Sequence, residues 1–134
     1  MKRALILLPL LMCFGCGADA RVWFIEPADG AEVTSPFTIK FGVEGMNLVK
    51  AADQSPDDET SGHHHLLVNS GAVALGTIIE PDDEGKSRFH YGLAQEEVEF
   101  ELPAGEHKLT MQFGDWEHRS YGPPMSATIT VTVK

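Results

Sequence analysis

Three consecutive histidines, His63 to His65, have the clearest chemical potential in this chain. They are followed by the apolar residues 66–68, a context that favours a strand. Alternate side chains of a strand point to the same face, so His63 and His65 are expected to lie together, roughly 6.6 Å apart along the chain. One metal ion can bridge that separation, so the pair predicts a metal site.

The remaining ligands must come from other parts of the chain. Catalytic zinc sites join such histidines to a third protein ligand, and copper sites recruit imidazole together with thioether sulfur. The cofactor is therefore expected to be a copper or zinc ion. Thioethers favour copper, which at equal geometry also binds nitrogen and oxygen sites more tightly than zinc. The candidate ligands are His63, His65, His90, His118, Asp115, Met46 and Met125.

Period-two alternation recurs along the chain and predicts half-buried strands, whereas no stretch has a sustained helical period. Turn-forming residues separate these strands. Six or seven strands at such spacing predict an all-β fold, an immunoglobulin-like antiparallel β-sandwich of about seven strands. The expected strands cover residues 22–25, 37–43, 63–69, 97–102, 107–113 and 126–133, with a further short strand near 76–79.

This sandwich order gives the candidate ligands a reason to meet. Strands 63–69 and 107–113 are antiparallel neighbours in it, so the start of the first lies beside the end of the second. The loop after residue 113 carries Asp115 and His118. His90 is expected in the connection before strand 97–102. The candidate ligands should therefore gather at one end of the sandwich.

Two other histidines are predicted to be structural. The phase of its strand puts His64 on the face shared with Leu66 and Val68, so it is expected to be a hydrogen-bonded core residue. His107 follows the turn 103–105, at the end of the sandwich opposite the candidate ligands.

The N-terminal residues predict export. Lys2 and Arg3 precede an apolar run that is too short to span a membrane, and small residues follow it. Cleavage after Ala20 would leave one soluble domain of residues 21–134, behind a signal peptide of residues 1–20. Cleavage at the imperfect lipobox around Cys16 would instead give a lipid anchor, the one expected contact with a membrane. The expected location is the periplasm.

Charge and cysteine content restrict the partners. The formal net charge is −10 at pH 7, and the loss of residues 1–20 makes it one unit more negative. This balance argues against nucleic acid or an anionic membrane surface as a partner, and it attracts cations. Both cysteines, Cys13 and Cys16, lie in the export segment, so no disulfide is expected in the domain.

Several motifs together resemble a known family. The most specific is Gly62-His63-His64-His65-Leu66-Leu67-Val68. The others are Phe24 to Ala31, Ser35-Pro36-Phe37, Phe41-Gly42-Val43, Gly45-Met46, Pro103 to His107, and Phe113-Gly114-Asp115 with His118 and Pro124. The chain resembles an uncharacterised bacterial periplasmic family known only as a domain of unknown function. The resemblance implies an exported, single-domain β protein and brings no established activity.

Three functions remain open at this point. The first is a periplasmic metal-binding protein, most consistent with copper, for delivery, storage or sequestration. The second is a non-catalytic interaction or adaptor module without metal, with Trp116 and Tyr121 as aromatic anchors for a periplasmic protein partner. The third is a zinc hydrolase, which needs a general base such as Asp115 or Glu117. No nucleophile elbow or phosphate-binding loop is recognisable, so the expectation is that the protein is not an enzyme.

Overall fold

A computed structural model describes residues 19–82 and 86–134 of the 134-residue chain. Most of the predicted signal peptide, including Cys13 and Cys16, lies outside these residues. The described part contains no helix with the length and apolar character needed to cross a membrane.

The described residues form nine strands joined by loops and two single turns of 3-10 helix, Ala51–Asp53 and Pro123–Met125. The strands are β1 Arg21–Glu26, β2 Glu32–Val33, β3 Phe37–Glu44, β4 Asn47–Leu48, β5 Ser61–Val68, β6 Arg88–Tyr91, β7 Glu97–Phe100, β8 Gly105–Gly114 and β9 Ser126–Val133.

Two sheets account for these strands. The first has the order β1-β3-β7, and the second has the order β2-β9-β8-β5-β4, with β6 also paired to β5. Most neighbours are antiparallel, while β2 with β9 and β4 with β5 are parallel. The prediction of an all-β fold is confirmed, and the arrangement is consistent with a β-sandwich. The immunoglobulin-like order stays a prediction.

The hydrophobic core lies where alternating apolar residues of the two sheets meet. Ile39 and Phe41 of β3 belong to the same buried cluster as Leu66 of β5 and Met111 of β8. Because side chains alternate across a strand, the neighbours of Leu66 on β5 point to the opposite, outer face of the second sheet. His63, His65 and Leu67 occupy that outer face.

Strand β5 is buried on both faces, although its alternation predicts a half-buried strand. All eight of its residues are buried. The outer face is covered by two chain segments, 73–79 and 118–120, which hydrogen-bond to each other: Gly76 N donates to Ser120 O over 2.8 Å, and Ile79 N donates to His118 O over 2.8 Å. A histidine on this face is therefore enclosed rather than solvated.

Two local predictions are corrected. The strand expected near 76–79 is not formed, because Ile78 makes only an isolated bridge to Arg119. His90 does not lie in a connection but on β6, a strand that the alternation analysis missed, and there it pairs with His65 of β5.

Candidate metal centre

Four histidines from three parts of the fold converge on the outer face of the second sheet. His63 and His65 come from β5, His90 comes from β6, and His118 comes from the loop after β8. One ring nitrogen from each lies within 4.8 Å of the others. These four residues, called the histidine cluster below, could hold a metal ion.

Hydrogen bonding alone does not explain the contacts inside the histidine cluster. The Nε2 atom of His90 lies 3.1 Å from Nε2 of His63 and 3.1 Å from Nε2 of His118. Each ring nitrogen of a neutral imidazole either donates or accepts one hydrogen bond, so His90 Nε2 cannot donate to both neighbours. Metal–nitrogen bonds of about 2.0 Å separate adjacent ligand nitrogens by about 2.8 Å in a square plane and about 3.3 Å in a tetrahedron. The two 3.1 Å distances lie between these values.

Exposure to solvent differs across the histidine cluster. His63 is fully buried and His65 is 2% exposed. His118 is partly buried, and His90 is exposed. The β5 pair therefore forms the floor of the site, and His90 and His118 form its solvent-facing side.

The imidazoles of the floor are held in the neutral form that binds metals. Burial lowers the pKa of His63 to about 3, and the repulsion that its protonated form would feel from His90 and His118 adds to the shift. Burial also lowers the pKa of His65 to about 2, with the Gln112 backbone opposing the shift although it makes no full hydrogen bond. Both side chains keep ring nitrogens without a hydrogen-bond partner. Buried, unprotonated and unpartnered nitrogens suit a metal ion.

A glycine makes room for the exposed ligand. Gly92 follows β6, and a Cβ atom at this position would lie 2.3 Å from Cε1 and 2.4 Å from Nε2 of His90. Any side chain here would force the His90 ring to move. Gly92 was not among the predicted site residues, because its role becomes visible only once β6 is recognised as a strand.

The loop after β8 is organised by Asp115. Its Oδ1 atom accepts hydrogen bonds from the backbone N–H groups of Glu117 over 2.9 Å and Arg119 over 2.8 Å. Its carbonyl accepts from His118 N over 2.8 Å. His118 has a φ of 63°, a left-handed conformation that is uncommon outside glycine. The Asp115 contacts support this conformation and so position the His118 ring.

The other candidate ligands have different surroundings. The Asp115 carboxylate is engaged with the backbone of its own loop and is not a member of the histidine cluster. Met125 is 4% exposed within the hydrophobic core, and Met46 packs against that core. Both methionines therefore pack on the side of β5 opposite the histidine cluster.

His64 and His107 are separate from the histidine cluster, as predicted. The His64 ring lies between Phe41 and Phe113, with centroid distances of 5.0 and 5.1 Å. Its predicted hydrogen bond is not formed, since neither ring nitrogen has a partner, and burial lowers its pKa to about 4. His107 Nε2 contacts Pro103 O over 2.8 Å at the far turn.

A small cavity opens beside the histidine cluster. Its volume is about 220 Å³. Three cluster members, His65, His90 and His118, form part of its wall. The remaining lining residues are Ile79, Pro81, Arg88 and Phe89. Arg88 and His90 share a face of β6 because they are two residues apart. Arg88 was not among the predicted site residues, although the Arg-x-His spacing indicates a shared face once β6 is recognised as a strand.

Comparisons with known proteins identify a family but no activity. A family model described as "Domain of unknown function (DUF4399)" matches residues 39–134. No curated protein matches the chain. A solved structure, an endo-beta-1,4-mannanase from Thermotoga petrophila, is 17% identical with a TM-score of 0.46. The match covers 86% of this chain and 20% of the mannanase chain. This chain therefore spans about a fifth of that enzyme, and the likeness carries no functional argument.

Proposed function

We propose a metal-binding function for this chain, which belongs to the DUF4399 family of domains of unknown function. The protein binds one transition-metal ion through His63, His65, His90 and His118. The observation that carries the proposal is the convergence of four ring nitrogens within 4.8 Å. Two of these side chains are buried, and the pKa values of both are lowered.

Copper(II) is the proposed ion, ahead of zinc. Imidazole suits both metals, but copper(II) binds nitrogen sites most tightly in the divalent series. Thioether sulfur does not favour copper here, because Met46 and Met125 pack with the core. An all-imidazole set therefore favours copper(II) through affinity rather than through sulfur.

The proposed role is non-catalytic binding of the ion, in delivery, storage or sequestration. A zinc hydrolase needs a general base near the metal. The Asp115 carboxylate is engaged by backbone N–H groups, and Glu117 forms an ion pair with Arg119 at 3.0 Å. The predicted signal peptide would give this role a periplasmic location.

The adaptor hypothesis has less support. It tolerates histidines that point apart, whereas these four converge. Tyr121, one of its two aromatic anchors, donates its hydroxyl hydrogen to Ser61 O over 2.7 Å, and its ring stacks on Phe113. The Tyr121 side chain therefore has a structural role.

Calorimetric titration of the purified protein with copper(II) and with zinc tests the proposal. We expect one ion per chain, with copper bound more tightly. His90→Ala removes an exposed ligand and should weaken copper binding by at least about tenfold, which corresponds to about 1.4 kcal/mol.

His107→Ala is the matched control, because His107 is a histidine at the far turn. It should leave copper binding unchanged. The proposal is wrong if neither ion binds stoichiometrically, or if the two variants weaken binding equally.

A further inference from the structure

A metal ion in the histidine cluster would be left with an unbalanced positive charge. All four cluster ligands are histidines, and imidazole binds a metal ion in its neutral form. The nearest predicted acidic ligand, Asp115, uses its carboxylate on backbone N–H groups. A divalent charge on the buried floor of this site is costly without an opposing charge.

The cavity beside the histidine cluster adds a second positive charge instead of a negative one. Arg88 lines the cavity together with three of the cluster histidines. Its guanidinium donates to the backbone carbonyl of Glu80 over 3.2 Å, and no ion pair joins it to any acidic side chain in the described part of the chain. The guanidinium therefore has donors left for an anion.

The rest of the cavity wall is apolar. Ile79 is 3% exposed, and both Ile79 and Pro81 line the cavity. An inorganic anion would leave these surfaces without a partner. A volume of about 220 Å³ admits only a small organic molecule.

We propose that the cavity binds a small organic carboxylate with an apolar body, held between the bound metal ion and Arg88. The carboxylate supplies the charge that the histidine cluster lacks, and the apolar body packs against Ile79 and Pro81. This inference rests on the proposed metal-binding function. The protein would then bind its ion as a ternary complex with an anion.

The test uses the copper-loaded protein and follows the visible and electron paramagnetic resonance spectra during titration with benzoate. We expect a saturable spectral change. Acetate, which lacks the apolar body, should bind at least about tenfold more weakly, since burying a few CH₂-sized groups gives a comparable gain in affinity. Benzyl alcohol, which lacks the charge, should leave the spectra unchanged.

Arg88→Gln should weaken benzoate binding by at least about tenfold, because it removes a charge-assisted contact. Arg21→Gln is the control: it removes the same charge from β1, outside the cavity, and should have no effect. Copper binding without a benzoate response, equal binding of acetate and benzoate, or equal effects of the two arginine variants would each overturn this inference alone. Failure of copper to bind would overturn this inference, and failure of both copper and zinc to bind would overturn it together with the proposed function.

Discussion

At the scale of the residue, β5 gives three adjacent histidines two different environments. His63 and His65 face three other imidazoles each, and their centroids lie 4.7 Å apart. His64 faces the aromatic rings of Phe41 and Phe113. Identical side chains therefore divide into two proposed metal ligands and one packing residue, because a strand turns successive side chains to opposite faces.

The first prediction concerns His64. Both of its ring nitrogens are buried without a partner, and an unsatisfied buried polar group costs about 1 to 3 kcal/mol. His64→Leu should therefore raise the free energy of unfolding by a similar amount, measured by urea denaturation. Copper affinity should stay unchanged. A loss of stability or of copper binding in this variant would show that His64 has a polar role.

The sequence predicts residues of this site only where the local periodicity shows which face of a strand they occupy. Alternation places His63 and His65 on one face of β5 correctly. It cannot indicate that segments far along the chain cover that face, because burial by a loop leaves no period in the strand itself. The Asp115 carboxylate illustrates a related limit of sequence-based prediction. The sequence shows that a carboxylate is present, but the loop conformation determines whether it binds a metal ion or a backbone N–H group.

At the scale of the element, the site depends on the short strand β6. Its four residues pair with β5 in a register that sets His65 opposite His90. Four residues are too few for alternation to indicate a strand, so the sequence suggested a connection. The longer strands β3, β8 and β9 were predicted because each repeats the apolar period several times.

The second prediction tests the space that Gly92 leaves for the His90 ring. In Gly92→Ala, the new Cβ would lie within 2.4 Å of two ring atoms, so the ring must turn away. Copper affinity should fall by at least about tenfold, as expected when a ligand is misplaced, with little change in the melting temperature.

Gly71→Ala is the matched control, since a Cβ there meets no atom within 4 Å. Its copper affinity, measured in the same calorimetric titration, should equal that of the unmodified protein. Equal affinities for all three proteins would mean that His90 binds copper from another position or does not bind it.

At the scale of the whole molecule, three buried neutral histidines make stability depend on pH. His63, His64 and His65 have folded-state pKa values of about 3, about 4 and about 2, against 6.5 when unperturbed. Below pH 6.5 the unfolded chain binds protons that the folded chain does not. The contribution of these three histidines to the free energy of unfolding is therefore fully present above pH 6.5. It is lost as pH falls toward the folded-state pKa values.

The third prediction follows from that difference in proton binding. Each proton taken up on unfolding contributes about 1.4 kcal/mol per pH unit, so three histidines give a slope of up to roughly 4 kcal/mol per pH unit. Urea denaturation of the metal-free protein between pH 7 and pH 5 should show this loss. His64→Leu removes one of the three histidines, so it should reduce this slope by about 1.4 kcal/mol per pH unit. A stability that stays constant across this range would contradict the lowered pKa values.

The spacing of the ligands along the chain has a consequence for the unfolded state. His63 and His90 are 27 residues apart, and His90 and His118 are 28 apart. A bound ion is then a reversible cross-link that closes two loops in a domain of residues 21–134 that contains no cysteine, since both cysteines, Cys13 and Cys16, precede it. A covalent link across a loop of that size removes about 3 to 4 kcal/mol of chain entropy from the unfolded ensemble. The ion would thus stabilise the domain in the way that disulfides stabilise many small domains.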